Sequence, residues 1–160
     1  VGFPYGNSRV LPYEKQYFTG GANGIRAWQV RSLGPGTYSA DEGVYPNQSS
    51  DLKLEGNFEY RFHLFGKFEG AMFVDAGNIW AINEKDNREG GQFKIDRFYK
   101  QIAVGTGAGL RCNLNYFILR VDMGLKLRVP SEDKGKRWII GSRKLTSDDL
   151  NWNFAIGYPF

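Results

Sequence analysis

From Asp51 to the end of the chain, apolar and polar residues alternate with a period of two. In Asp51–Leu64 one face carries Leu52, Leu54, Gly56, Phe58, Tyr60, Phe62 and Leu64, and the other Lys53, Glu55, Asn57, Glu59, Arg61 and His63. That is the signature of a strand with one apolar face and one charged face. Phe68–Trp80 puts Met72, Val74 and Ala76 opposite Glu69, Phe73 and Asp75. Gln101–Leu114 puts Ile102, Val104, Thr106, Ala108, Leu110 and Cys112 opposite Ala103, Gly105, Gly107, Gly109, Arg111 and Asn113. Phe117–Val129 sets Leu119, Val121, Met123, Leu125 and Leu127 against Arg120, Asp122, Gly124, Lys126 and Arg128. Asn151–Phe160 places Trp152, Phe154, Ile156, Tyr158 and Phe160 on one face. The pattern predicts an all-β chain of about five long antiparallel strands.

The connections alternate in length. Phe65–Lys67 and Leu114–Asn115 are tight turns, whereas Asn83–Lys100 and Ser131–Asp149 are long, and a still longer segment, Asn7–Ser50, precedes the first strand. Short turns at one end and long loops at the other fit a transmembrane β-barrel of the outer-membrane kind, with the short turns and the C-terminus on the periplasmic side. A soluble β-sandwich also alternates. Its strands are usually five or six residues, however, and these run to roughly twice that. Five strands do not close a membrane barrel, for which about eight is the minimum. An open edge would leave backbone groups unpaired in lipid. The expectation is therefore the C-terminal portion of a larger barrel. It forms one unit over residues 1–160, with residues 7–50 as a long extracellular loop and residues 51–160 as hairpins and terminal strand.

Composition changes this picture little. No run approaches the ~18 apolar residues of a membrane helix, which leaves membrane strands open. The 21 glycines and 16% aromatics suit β structure with tight turns. A net charge of +4, scattered along the chain, gives no nucleic-acid signature. One cysteine (Cys112) and one histidine (His63) leave no intrachain disulfide and no multi-Cys or His-rich metal site, and no cofactor is expected. The chain opens on VGFPYG, without an initiator Met, and reads as a mature or excised piece of something longer.

Parity then places charges. With a three-residue turn at Phe65–Lys67, Leu64 faces Phe68, Phe58 faces Val74, Glu59 faces Phe73 and Asn57 faces Asp75. Glu59 and Asp75 become diagonal neighbours on the inner face. With a two-residue turn at Leu114–Asn115, Gly109 faces Arg120 and Gly107 faces Asp122, leaving room at the wall. Two adjacent inward carboxylates call for a cation, and a guanidinium fork can serve both. Arg61, Arg111 and Arg120 on the wall are candidates. So is Arg26 in the loop sequence GIRAWQVRSLGPG.

The segments YFTGGANGIRAWQVRSLGPG, LEGNFEYRF, FVDAGNIW and NFAIGYPF, in this order, resemble the C-terminal barrel half of the BamA/TamA superfamily from about Tyr5 to Phe160. The IRAWQVRSLGPG form is most similar to the TamA-like branch, the translocation and assembly module. The resemblance implies a surface-antigen-type barrel of about sixteen strands, integral to the bacterial outer membrane, that inserts or translocates other proteins and is not an enzyme. Its partners would be outer-membrane lipids, client outer-membrane proteins and periplasmic or inner-membrane module subunits, with no nucleic acid. In that family the corresponding loop folds back into the lumen, and its tip arginine contacts acidic residues on the wall. Carried over, this gives a loop-to-wall lock of Arg26 with Glu59 and Asp75, a loop motif of Ile25, Ala27 and Trp28, and wall support from Phe73, Gly105, Gly107 and Gly109. Ala27 departs from the family's usual glycine; a positive φ there would cost alanine about 1 kcal/mol or more. The ending, with Phe154, Ile156, Tyr158 and Phe160, resembles the C-terminal signal by which such barrels are recognised for assembly. The last strand of the family pairs weakly with the first, at a seam where client strands are templated. A passive outer-membrane channel, or a secretion transporter of the same superfamily, is the other reading, and a soluble β-domain such as a carbohydrate-binding module a third.

Weaker signals add detail. GTGAGL lies along a strand with no following helix and does not read as a phosphate loop. Glu59 and Asp75 have no nucleophile or metal ligand nearby, so catalysis is not expected. Lys134, Lys136, Arg137, Arg143 and Lys144 form a basic outer loop that suits anionic lipid headgroups or solvent. Cys112 should face lipid near the periplasmic rim. Trp80, Trp152, Tyr116 and Tyr158 should sit in aromatic girdles.

Overall fold

The structure, a computed structural model, describes residues 1–3, 11–39, 47–83, 86–133, 135–142 and 144–157. Tyr158, Phe160, Lys134 and Arg143 lie outside the described residues. The alternating segments form one five-stranded antiparallel sheet in sequence order: β1 (Leu52–Phe65), β2 (Phe68–Trp80), β3 (Ala103–Asn113), β4 (Ile118–Arg128) and β5 (Leu150–Gly157). No α-helix occurs among the described residues. A sheet of such long strands, open at both ends, is a section of barrel wall.

The two faces differ as the period of two requires. On one lie exposed apolar side chains, among them Leu54, Phe58, Tyr60, Met72, Val74, Leu110, Leu119, Trp152, Phe154 and Ile156. Phe58 is 72% and Phe154 76% exposed. An apolar surface this extensive is the kind that the outer face of a membrane barrel presents. Cys112 shares this face near the short-turn end, opposite Phe68 and Leu119. The other face carries the polar residues and is overlaid by the loop before β1. The main buried cluster is accordingly loop on sheet: Ile25, Ala27, Trp28 and Leu33 from the loop, Ala103 from β3, with Val129 packed against it.

In the first hairpin Phe58 pairs with Val74, Glu59 with Phe73 and Asn57 with Asp75. The turn itself differs from the three-residue expectation. Gly66 and Lys67 are its central residues, Phe65 opposes Phe68, and Leu64 falls in a register irregularity instead of facing Phe68. Gly66, at φ 54°, makes the tighter turn accessible, and the irregularity takes up the extra residue.

The second hairpin requires a larger correction. Gly109 faces Asp122, not Arg120; Gly107 faces Gly124, not Asp122; and Arg111 faces Arg120. The turn is centred one residue further on, at Asn115–Tyr116, with the Leu114 N–H donating to the Phe117 carbonyl. Asn115 takes φ 69°, a region asparagine tolerates, and its N–H donates to Asn113 Oδ1 at 3.1 Å. Because the pairing slides by two, every side chain keeps its face.

Trp80 is not a girdle residue. It is fully buried beneath Phe93 and Phe98, and its Nε1 donates to Gln101 Oε1 at 2.8 Å. Trp152 and Tyr116 are exposed.

Candidate functional site

Arg26 reaches the wall through nearly every polar atom it has. Nε and Nη2 donate to Asp75 Oδ2 and Oδ1, each at 2.8 Å, and the backbone N–H donates to Asp75 Oδ2 at 3.0 Å. Nη1 donates to Glu59 Oε2 at 2.5 Å. The guanidinium lies over the Phe73 ring, 3.5 Å from its centroid. One planar fork thus holds a carboxylate in two-point contact, reaches a second and covers an aromatic face, which a lysine could not do. Asp75 is wholly buried and Arg26 is 4% exposed, so water screens this pair little.

The two carboxylates are not equivalent. Glu59 is shared: Arg61 Nε donates to Oε1 and Arg111 Nη2 to Oε2, both at 2.5 Å. Asp75 is held by Arg26 and by the Asn57 amide at 3.0 Å. Charge balancing by wall arginines and contact with the loop arginine therefore coexist. Asp75 is the partner that answers chiefly to Arg26.

Local chain geometry brings the arginine there. Loop residues 18–31 fold on themselves, with Gly21 N–H donating to the Trp28 carbonyl, Trp28 N–H to Ile25, and Arg31 N–H to Thr19. Arg31, the second arginine of the motif, lies over the Phe18 ring at 4.5 Å, and its carbonyl accepts from Gln48 N–H, tying the two limbs of the loop together. Asn57 Nδ2 donates to the Gly24 carbonyl at 3.0 Å. Arg120 donates to the carbonyl of Ala22 and, at 3.1 Å, to Asn23 Oδ1. Further along, Asn78, buried at the top of β2, donates to the carbonyls of Gly36 at 2.7 Å and Gln101 at 2.5 Å.

The remaining expected residues fall as follows. Ile25, Ala27 and Trp28 are buried. Trp28 packs toward Ala103 and Gly105, under Lys126, and not against Glu59 or Asp75. Ala27 has an ordinary backbone, since Arg31 and Asn115 are the non-glycine residues at positive φ; the anticipated strain is absent there. The inward glycines have separate tasks. A Cβ on Gly105 would strike the Ala27 side chain, whereas one on Gly107 would strike the Met123 carbonyl and the Phe73 ring and one on Gly109 the Asp122 carboxylate. Only Gly105 of the three makes room for the loop itself. Of the residues expected to form an assembly signal, Phe154 and Ile156 are on the exposed apolar face.

Several participants were not anticipated. Gly124 lies directly under the loop tip, where a Cβ would come within 2.7 Å of the Ala27 backbone. The correct β3–β4 register would have revealed it as the inward partner of Gly107. Asp122 is fully buried and pairs with Arg120 at 2.9 Å and Arg111 at 3.6 Å, extending the charge network across the wall. Asn151 and Asn153 on β5 both contact the loop. Alternation with Trp152 and Phe154 puts both on the inner face, but no sequence signal marks a backbone carbonyl as their partner.

An open antiparallel wall, apolar outside and charged inside, with a loop docked on its inner face by a buried arginine, defines a class: outer-membrane β-barrels with a loop folded into the lumen. The chain matches the Omp85 superfamily domain over residues 1–160 and belongs to that superfamily, which includes the BamA/TamA proteins.

Proposed function

We propose that the chain is the C-terminal wall of an integral bacterial outer-membrane protein that assembles or translocates other proteins. Membership of the Omp85 superfamily fits that role broadly. We further assign it to the TamA-like branch on the IRAWQVRSLGPG motif. The work is strand templating at a barrel seam, with outer-membrane lipids, client outer-membrane proteins and periplasmic or inner-membrane module subunits as partners, and with no chemical reaction and no cofactor. The observation that carries this reading is the Arg26 fork on Asp75 and Glu59. A loop so fixed occupies the inner face that an open channel would leave to water. Phe154 and Ile156, with Tyr158 and Phe160 beyond them in sequence, serve as the assembly signal.

The test is Arg26→Glu in the full-length protein in outer membranes. Charge reversal beside two carboxylates should release the loop, so protease cleavage within residues 18–36 rises at least tenfold and client assembly falls. Unchanged cleavage would remove the lock. High steady conductance of the wild type in a planar bilayer would favour a passive channel.

A further inference from the structure

While its side chain holds β1 and β2, Arg26 also makes contact through its backbone carbonyl. That oxygen accepts from Asn151 Nδ2 at 2.9 Å and Asn153 Nδ2 at 2.8 Å. The two asparagines flank the outward Trp152 on β5, so both point inward. Two amide donors use both lone pairs of one carbonyl, and Arg26 and Asn153 are both buried. Between these anchor points the loop tip passes over Gly105 of β3 and Gly124 of β4, where only glycine leaves space. One loop residue thereby joins the first two strands of the sheet to the last.

β5 is the element with most to gain from this grip. Among the described residues it is paired along one side only, to β4. By the proposed function its other edge lies at the barrel seam, where a further strand pairs with it. Whatever pairs with that edge and tilts β5 must move Asn151 and Asn153 relative to the Arg26 carbonyl.

We propose that Asn151 and Asn153 are positioning residues that couple docking of the loop to the placement of the last strand: undocking Arg26 loosens β5, and displacing β5 loosens the loop. This rests on the docked loop of the proposed function. Coupling between two sites is reciprocal, so both directions must be seen.

The experiment is backbone hydrogen exchange on the full-length protein in lipid, read over residues 24–28 and 150–157. In the wild type both segments should be protected and open together as one unit. The double variant Asn151→Ser/Asn153→Ser removes the amide donors and keeps the face polar. It should speed exchange at the loop tip by about tenfold or more, since a buried carbonyl loses its partners. Arg26→Ala, whose lost guanidinium bonds to Glu59 of β1 and Asp75 of β2, should speed exchange in β5 by a similar factor. A protected loop tip that ignores the serine substitutions, or a β5 that ignores Arg26→Ala, overturns the coupling and leaves the docking intact. A loop tip exchanging freely in the wild type overturns both. If the serine variant does not fold, wild-type opening decides: segments that open with clearly different rates contradict the proposal.

Discussion

Arg26, Ala27 and Gly124 form a contact in which no atom is spare. The Arg26 carbonyl faces β5, its N–H and guanidinium face Asp75, and the Ala27 backbone lies on Gly124. Backbone on backbone cannot give way as a flexible side chain can. Gly124→Ala should therefore shift the loop tip and destabilise docking by about 1–3 kcal/mol, seen as faster proteolysis of the loop. Gly56→Ala, at a position with nothing within 4 Å, is the matched control and should change nothing. The alanine at position 27 invites the opposite experiment. Its backbone is ordinary and its methyl is buried on Gly105. Restoring the glycine usual in the family should not tighten the loop. It should loosen it by about 0.5–1 kcal/mol through the added freedom of the undocked chain. At this scale the sequence was readable where parity alone decides: Glu59, Phe73 and Asp75 point inward because they sit at the right spacing. It was not readable where a backbone carbonyl is the partner. Nothing in the letters Asn151 and Asn153 says that they answer to Arg26, 125 and 127 residues away.

Strands were legible because alternation over ten or more residues leaves few alternatives, and a slip by one residue would put charges on the apolar face. A slip by two carries no such penalty, and there the expected β3–β4 register was wrong. The choice lies in the turn, where Asn115 at φ 69° and the Asn113 side chain favour a centre at Asn115–Tyr116. Asn115→Val, a β-branched residue in that conformation, should cost roughly 1–2 kcal/mol, and Asn115→Gly should be neutral or slightly stabilising. Urea unfolding of the two variants against wild type checks this. The buried position of Trp80 was hidden for a different reason. Its cover, Phe93 and Phe98, comes from a connection without alternation, so no periodic signal announces it.

Taken whole, the molecule reverses the usual order of a soluble domain: large apolar side chains outside, charges and a buried ion network within. That inversion makes sense with lipid on one face and a loop-filled lumen on the other. Phe58, in mid-strand on the apolar face and 72% exposed, is the place to test it. Phe58→Lys should cost about 2–4 kcal/mol if the residue sits near the bilayer midplane, lowering the yield of heat-modifiable folded protein in membranes; in a soluble sheet the same change would be harmless. The central claim, however, is that the loop is held by its arginine on Asp75. The most direct measurement is a double-mutant cycle with Arg26→Ala, Asp75→Ala and the pair together, in the full-length protein in lipid, read as the free energy of loop opening from proteolysis rates. The account predicts a coupling of about 2–3 kcal/mol between the two positions. Additive effects, with no coupling between Arg26 and Asp75, would contradict it.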